Sequence, residues 1–189
     1  LCRSEIACHH LHNSCTPRGA QVRDGLAWSN QIQESIDRFG SRLEVEFASH
    51  HWPTWGQSEA VLYLKQQRDL YRYIHDQTLR LANMGYGPDD IAEVLELPAS
   101  LDQEFHCRDY YGTVKHNAKA VYVKYLGFFD GNPAHLNQHT PRQRALRTLE
   151  VMGGSDAIVA RCQAYFEAGD YRWVAEVLNH VVTVEVDHL

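Results

Sequence analysis

The sequence predicts a mainly α-helical chain with one short strand in its first third. Three observations carry this. From Ser58 the chain runs 27 residues, to Met84, without proline or glycine, too long for a strand and enough for about seven helical turns. Beyond it, glycines, prolines and capping residues divide the chain into segments with apolar residues at helical spacing. Before it, Leu43-Glu44-Val45-Glu46-Phe47-Ala48 alternates apolar with charged, the pattern of a half-buried strand.

Residues 24–39 read as the first helix. Leu26, Ile32, Ile36 and Phe39 recur near helical spacing, Asp24 caps, and Gly40 follows. The strand ends in Ser49-His50-His51-Trp52-Pro53-Thr54-Trp55-Gly56, a loop by its proline and glycine. In the long helix Tyr63, Leu70, Ile74 and Leu81 fall at spacings of seven, four and seven, one apolar stripe, with Ser58 as N-cap and Gly85 as terminator. Pro88-Asp89-Asp90 opens a short helix that ends before Pro98, and Ser100 caps another over 101–107. Residues 113–126 read as a helix through Ala118, Val121, Tyr122 and Tyr125. A polar loop over 132–140 leads to Pro141, the first position of a helix to Met152. Gly153-Gly154 breaks that helix, Ser155-Asp156 caps the next over 156–168, and Gly169-Asp170 breaks again. The last helix carries Trp173, Val177, Leu178 and Val181 on one face, so the final segments form helix hairpins. The change from mixed to helical pattern places a boundary near residue 57.

Composition narrows the class. With 189 residues, 44% hydrophobic and 22% charged, the chain is large enough to bury a core without staples. A net charge of −6, with Lys and Arg scattered, argues against a nucleic-acid surface. Local arginines would have to supply the field for an anionic substrate. The five cysteines show no C-x-x-C pair and read as mostly reduced thiols, although a periplasmic or secreted parent could hold a disulfide. No apolar run reaches the length of a membrane span. The opening Leu1-Cys2-Arg3-Ser4-Glu5 has neither initiator Met nor signal-peptide pattern, so the chain reads as an interior piece of a longer protein.

Twelve histidines are unevenly placed. His9, His10 and His12 follow Glu5, and His50 and His51 end the strand. If 5–12 is helical, Glu5, His9 and His12 share a face, and carboxylate with imidazole suits zinc. The competing reading is a surface charge pair. Arg18 and Arg23 suit a tetrahedral oxyanion, because guanidinium binds such oxygens bidentately; the competing reading pairs one of them with Asp24. Tyr110-Tyr111-Gly112-Thr113-Val114-Lys115-His116-Asn117 holds groups able to donate to an oxyanion or a leaving oxygen, or simply opens a helix capped by Thr113. Trp52, Trp55, Tyr63, Tyr71 and Tyr73 read as core or interface aromatics.

Several of these stretches, taken together, resemble the zinc-dependent alkyl sulfatases of the metallo-β-lactamase superfamily. They are Ser4-Glu5 to His12-Asn13 with Thr16-x-Arg18-Gly19-Ala20-Gln21-Val22-Arg23-Asp24; Phe47 to Gly56; and Gln67-Arg68-Asp69-Leu70-Tyr71 with Tyr73 to Asn83. Tyr110-Tyr111-Gly112-Thr113-Val114-x-His116-Asn117 and Asp170-Tyr171-Arg172-Trp173 to His180 continue them in order. The resemblance implies an αββα sandwich holding two zinc ions, of which residues 1–56 would be the C-terminal edge. Residues 57–189 would be the helical dimerisation domain of a homodimer. It implies hydrolysis of linear alkyl sulfates of the dodecyl sulfate type. Glu5 aligns with the carboxylate that bridges the metals, and His50, or its neighbour His51, with the last histidine ligand. Arg18 aligns with a sulfate-binding arginine; Arg23 and Asn117 join it as substrate contacts, with Tyr111 and His116 beside the reacting centre.

The chain also departs from the family pattern. The H-x-H-x-D-H metal motif is absent and would lie upstream, as would a second glutamate ligand. Ile6, Cys8 and Pro17 replace Asn, Thr and Leu, and Pro17 fixes the backbone just before Arg18. Residues 1–189 alone are therefore expected to bind zinc weakly and turn over negligibly. The alternatives are a non-catalytic helical interaction module and a metallo-β-lactamase-like hydrolase of another ester.

Overall fold

In a computed structural model, which describes residues 1–185, the chain is mainly helical. Its contacts divide it into two compact units, Leu1–Asp130 and Gly131–Leu189.

The first unit is built on two helices. Helix α1 (Gly25–Phe39) starts where Asp24 accepts from the Ala27 amide at 2.9 Å. After a 3-10 turn, strand β1 (Val45–Glu46) pairs antiparallel with β2 (Thr54–Trp55). Helix α2 (Gln57–Asn83) then runs its full expected length. The stripe Tyr63, Leu70, Ile74 and Leu81 is buried as expected. On α1, by contrast, Trp28 and Ile32 are buried while Phe39 stays 41% exposed. Helix α3 (Pro88–Val94) follows, with the single turn α4 (Ala99–Asp102) and a 3-10 turn at 105–107 in place of the helix expected over 101–107. Helix α5 (Val114–Leu126) is capped by Thr113 and buries Ala118, Val121 and Tyr122.

The alternating segment differs from its pattern. Only Val45 and Glu46 are strand, and Glu46 is 1% exposed while Phe47 is 42% exposed. The charged residue turns inward, where Arg3 is also buried, yet both Glu46 carboxyl oxygens and the Arg3 terminal nitrogens lack a hydrogen-bond partner. Burial pushes the Glu46 carboxyl up to about 7 despite the nearby guanidinium. The loop expected over 49–56 contains β2.

The second unit holds the single turn α6 (Pro133–Leu136), inside the expected loop, and helices α7 (Pro141–Met152), α8 (Ser155–Glu167) and α9 (Tyr171–Val184). Leu149, Ile158, Cys162, Val174, Val177 and Val181 form its core. Trp173, expected on the buried face, is 43% exposed; Val174 takes that place. Gly153 and Gly154 have φ of 96° and 92°, so the tight turn between α7 and α8 needs residues without a Cβ. Gly154 rather than Ser155, and Gly56 rather than Ser58, precede their helices. All five cysteines are free thiols. Among the described residues no helix is long and apolar enough to cross a membrane.

Candidate metal and anion site

Strand register brings Glu5 to His50. The Leu1 amine donates to the Val45 carbonyl, the Phe47 amide to Leu1, the Arg3 amide to Phe47, and the Ser49 amide to Ser4, at 2.8–3.0 Å. The first residues thus run parallel to 45–49, with a bridge between Cys2 and Phe47. Glu5 and His50 each follow the last bonded pair, so both emerge at the same end. Residues 5–12 are irregular rather than helical. The face expected to join Glu5, His9 and His12 therefore does not exist, although two of the three meet by another route.

Glu5 lies at the centre. His50 Nε2 is 3.2 Å from its Oε1, His12 Nε2 is 3.6 Å from its Oε2, and Arg23 Nη2 is 3.9 Å from the same oxygen. The His50 hydrogen bond is the main reason the carboxyl is held below the usual carboxylate range. His9 goes elsewhere: its ring stacks between Trp52 and Tyr63, with centroids at 4.9 and 4.6 Å, and its Nε2 meets Thr54 Oγ1 at 3.2 Å. His51 faces His10, Nδ1 to Nδ1 at 3.3 Å. Burial drives His10 down to about 4, so this ring is neutral at pH 7, and its buried Nε2 has no hydrogen-bond partner.

Two non-glycine residues among those described have positive φ, Ser4 at 51° and His51 at 70°. One adjoins Glu5 and the other His50. Such strain persists where surrounding structure over-determines the backbone, and it gathers at functional sites.

Side chains from three helices and one glycine fix the irregular segment. Trp28 of α1 donates its indole N–H to the Ile6 carbonyl at 2.6 Å and stacks on Tyr71 of α2, centroids 4.2 Å apart. The His12 amide donates to the Tyr71 hydroxyl at 3.1 Å. Asn117 of α5 is fully buried; its amide donates to the His12 carbonyl and its oxygen accepts from the Ser14 amide, both at 2.8 Å. The Gly112 amide donates to the Leu11 carbonyl at 2.7 Å, and a Cβ there would sit 2.8 Å from the His12 carbonyl carbon. The motif containing Gly112 and Asn117 thus acts on the site segment's backbone. Trp28 and Tyr71 gave no sequence signal beyond being aromatic, because the contacts span 22 and 59 residues.

The remaining candidates divide. Arg18 is exposed and, with Tyr111, lines a pocket of about 490 Å³ that also holds Glu5, His10, His12, Arg23 and His50. The Tyr111 ring lies 4.9 Å from His10 and 5.3 Å from His12. Arg23 also lines it, but its Nη1 is engaged by His12 Nδ1 at 2.7 Å and the Asn13 carbonyl at 2.8 Å. His116 donates from Nε2 to the Cys15 carbonyl at 2.6 Å, which supports the loop leading to Arg18.

Zinc bonds of about 2.0–2.1 Å in a tetrahedral shell place neighbouring ligand atoms about 3.3 Å apart. The 3.2 Å between Glu5 Oε1 and His50 Nε2 fits two ligands of one ion. Among the described residues no group of three His, Cys, Asp or Glu is arranged to hold a metal. What is present is a ligand pair.

Comparison with known proteins places this geometry. A family model for alkyl sulfatase dimerisation matches residues 87–189, more than half of the chain. The chain belongs to the alkyl sulfatase dimerisation family. A linear primary-alkylsulfatase from a Pseudomonas species is 50% identical over 182 residues, covering 96% of this chain and 27% of that protein. The alkyl/aryl-sulfatase BDS1 of Saccharomyces cerevisiae is 51% identical over 179 residues, covering 95% and 28%. The solved structure of the stereoselective inverting sec-alkylsulfatase Pisa1, also from Pseudomonas, matches with a TM-score of 0.96 at 39% identity, over 99% of this chain and 30% of that one. The chain thus spans somewhat over a quarter of the relatives it matches, and the alkyl sulfatase family match includes Gly112 and Asn117, which hold the site segment.

Proposed function

We propose that this chain is part of a zinc-dependent alkyl sulfatase that hydrolyses linear alkyl sulfate esters to an alcohol and inorganic sulfate, and that works as a homodimer. The carrying observation is the Glu5–His50 pair at 3.2 Å, in one pocket with Arg18. Relatives named as alkylsulfatases at 50% and 51% identity support the reaction class. The parallel pairing of residues 1–4 with 45–49 supports reading 1–56 as the edge of a metallo-β-lactamase-like αββα sandwich. Residues 57–189 would then form the helical dimerisation part.

In this reading Glu5 and His50 hold zinc, with further ligands from outside these residues. Zinc when bound supplies Lewis-acid activation of water and charge stabilisation on the sulfate. Arg18, exposed at the pocket wall and without an ion-pair partner among the described residues, binds sulfate oxygens through its planar fork. Tyr111 stands where its hydroxyl can donate to the ester. The reaction balances as R–O–SO3⁻ + H2O giving R–OH + HSO4⁻. Asn117, Arg23 and His116 serve by holding Asn13–Arg18 and His12 in place.

The test is release of sulfate from dodecyl sulfate by the longer protein carrying this chain, with and without chelator. Activity abolished by chelator and by Glu5→Gln supports the reading; full activity in Glu5→Gln sinks it. A second reading, a dimerising module without chemistry of its own, is favoured by the family match, which is to the dimerisation part. Sedimentation separates the assembly question: a species of twice the 21.7 kDa chain mass supports the homodimer, and a monomer at high concentration contradicts it.

A further inference from the structure

We propose that His12 is a positioning residue that orients the Glu5 carboxylate, locked by Arg23 into the one tautomer able to do so. The proposal rests on the zinc reading of Glu5 and assigns His12 a place outside the ligand set.

The reasoning starts from donors and acceptors. Arg23 carries only N–H donors. Its Nη1 lies 2.7 Å from His12 Nδ1, much closer than the Asn13 carbonyl at 3.4 Å, so that ring nitrogen presents its lone pair to Arg23. A neutral imidazole with Nδ1 as acceptor carries its proton on Nε2. His12 Nε2 is the atom 3.6 Å from Glu5 Oε2. The ring therefore points an N–H toward one carboxylate oxygen, at 3.6 Å a dipole–charge contact rather than a hydrogen bond, while His50 hydrogen-bonds the other. A nitrogen bearing a proton is no metal ligand, so the same contact that makes His12 a donor to Glu5 removes it from zinc coordination. Metal sites hold their ligating carboxylates in orientation through polar side chains beside them.

The ring has little freedom to escape this role. His12 is 4% exposed. Its amide is bonded to Tyr71 and its carbonyl to Asn117, and Gly112 packs against its carbonyl carbon. Arg23 is fixed in turn by the Asn13 carbonyl and by the face of Trp28, 5.6 Å from its guanidinium carbon.

Nitrogen NMR of the His12 ring in residues 1–189 tests the lock directly. The expected state is the Nε2–H tautomer, with a shift toward the other tautomer in Arg23→Ala. Protonation on Nδ1 in the unsubstituted chain overturns the proposal. Loss of the Nε2 proton on zinc addition also overturns it, because His12 would then be a ligand. Two variants test the action on Glu5. Gln matches the Nε2 end of histidine, and Asn matches the Nδ1 end. In the longer protein carrying this chain, His12→Gln keeps zinc affinity within about threefold, whereas His12→Asn loses about tenfold, in the range for loss of such a supporting contact. Equal affinities in the two variants, at equal melting temperature, sink the positioning role. If the longer protein carrying the unsubstituted chain binds no zinc while the tautomer is as expected, the zinc reading falls and the lock stands. The Glu5 carboxyl carbon resonance then decides the action on Glu5, moving in His12→Asn and not in His12→Gln if the proposal holds.

Discussion

Residues 1–14 and helices α7–α9 are stabilised in opposite ways. The helices satisfy their backbone internally and close around Leu149, Ile158, Val174, Val177 and Val181. Residues 1–14 have no helix, and they spend their polar backbone groups on β1, Trp28, Tyr71, Gly112 and Asn117. One region would keep its form on pattern alone. The other takes its form from groups far along the chain, and it carries Glu5 and His12. A segment without its own hydrogen-bond ladder can be bent to suit a site, and Ser4 records that bending in its positive φ.

The largest expected effect breaks the helical side of this comparison. Ile158 has no exposed surface, and Ile158→Ala removes its side chain from the second core, costing about 4 kcal/mol. Denaturant unfolding should show that loss, while histidine resonances of Glu5's neighbours His12 and His50 stay in place.

Gly112→Ala breaks the other side. The added Cβ meets backbone at 2.7–2.9 Å, the Leu11 and His12 carbonyls, which have no flexible end to move. The expected cost is about 3 kcal/mol. Here the histidine resonances should shift together with the stability, and their constancy would contradict the clamp.

The buried Glu46 sharpens the comparison through pH. Its folded value, about 7, lies above its ordinary 4.5, so the folded state holds the proton longer. Stability from this group is therefore highest below 4.5 and falls as pH rises to 7, by about 3 kcal/mol. His10 and His106, both driven down to about 4 by burial, work in the opposite sense, losing stability as pH falls from 6.5 to 4. Glu46→Gln should remove only the first slope, and a variant that leaves the pH profile unchanged would contradict a buried proton on Glu46.

The smallest effect is strain relief. His51→Gly frees the left-handed backbone and should stabilise by about 1 kcal/mol. A destabilised variant would show that the contact of His51 with His10 outweighs the strain.

The helices were legible because their signals are local. Asp24 and Thr113 cap where a polar side chain reaches an amide three residues on. The stripe on α2 was readable from spacing alone. Some elements depart from their local rule. Glu46 is buried against its alternation, and Gly56 rather than Ser58 precedes α2. Residues 5–12 carried helical spacing without a helix.

By itself the sequence determined the helical class and most helix limits, and through its family resemblance it named Glu5, His50 and Arg18 as site candidates. Those depend on neighbours within a few positions, or on chemistry that side chains keep in any fold. Only the tertiary structure decided that Glu5 meets His50 through strand register, that Arg23 faces His12 rather than the open pocket, and that Asn117 binds backbone. Each of the last two is a choice between partners for one donor set. That choice is made by which carbonyl or ring the fold brings within 3 Å, a property of the whole chain and not of any stretch of it.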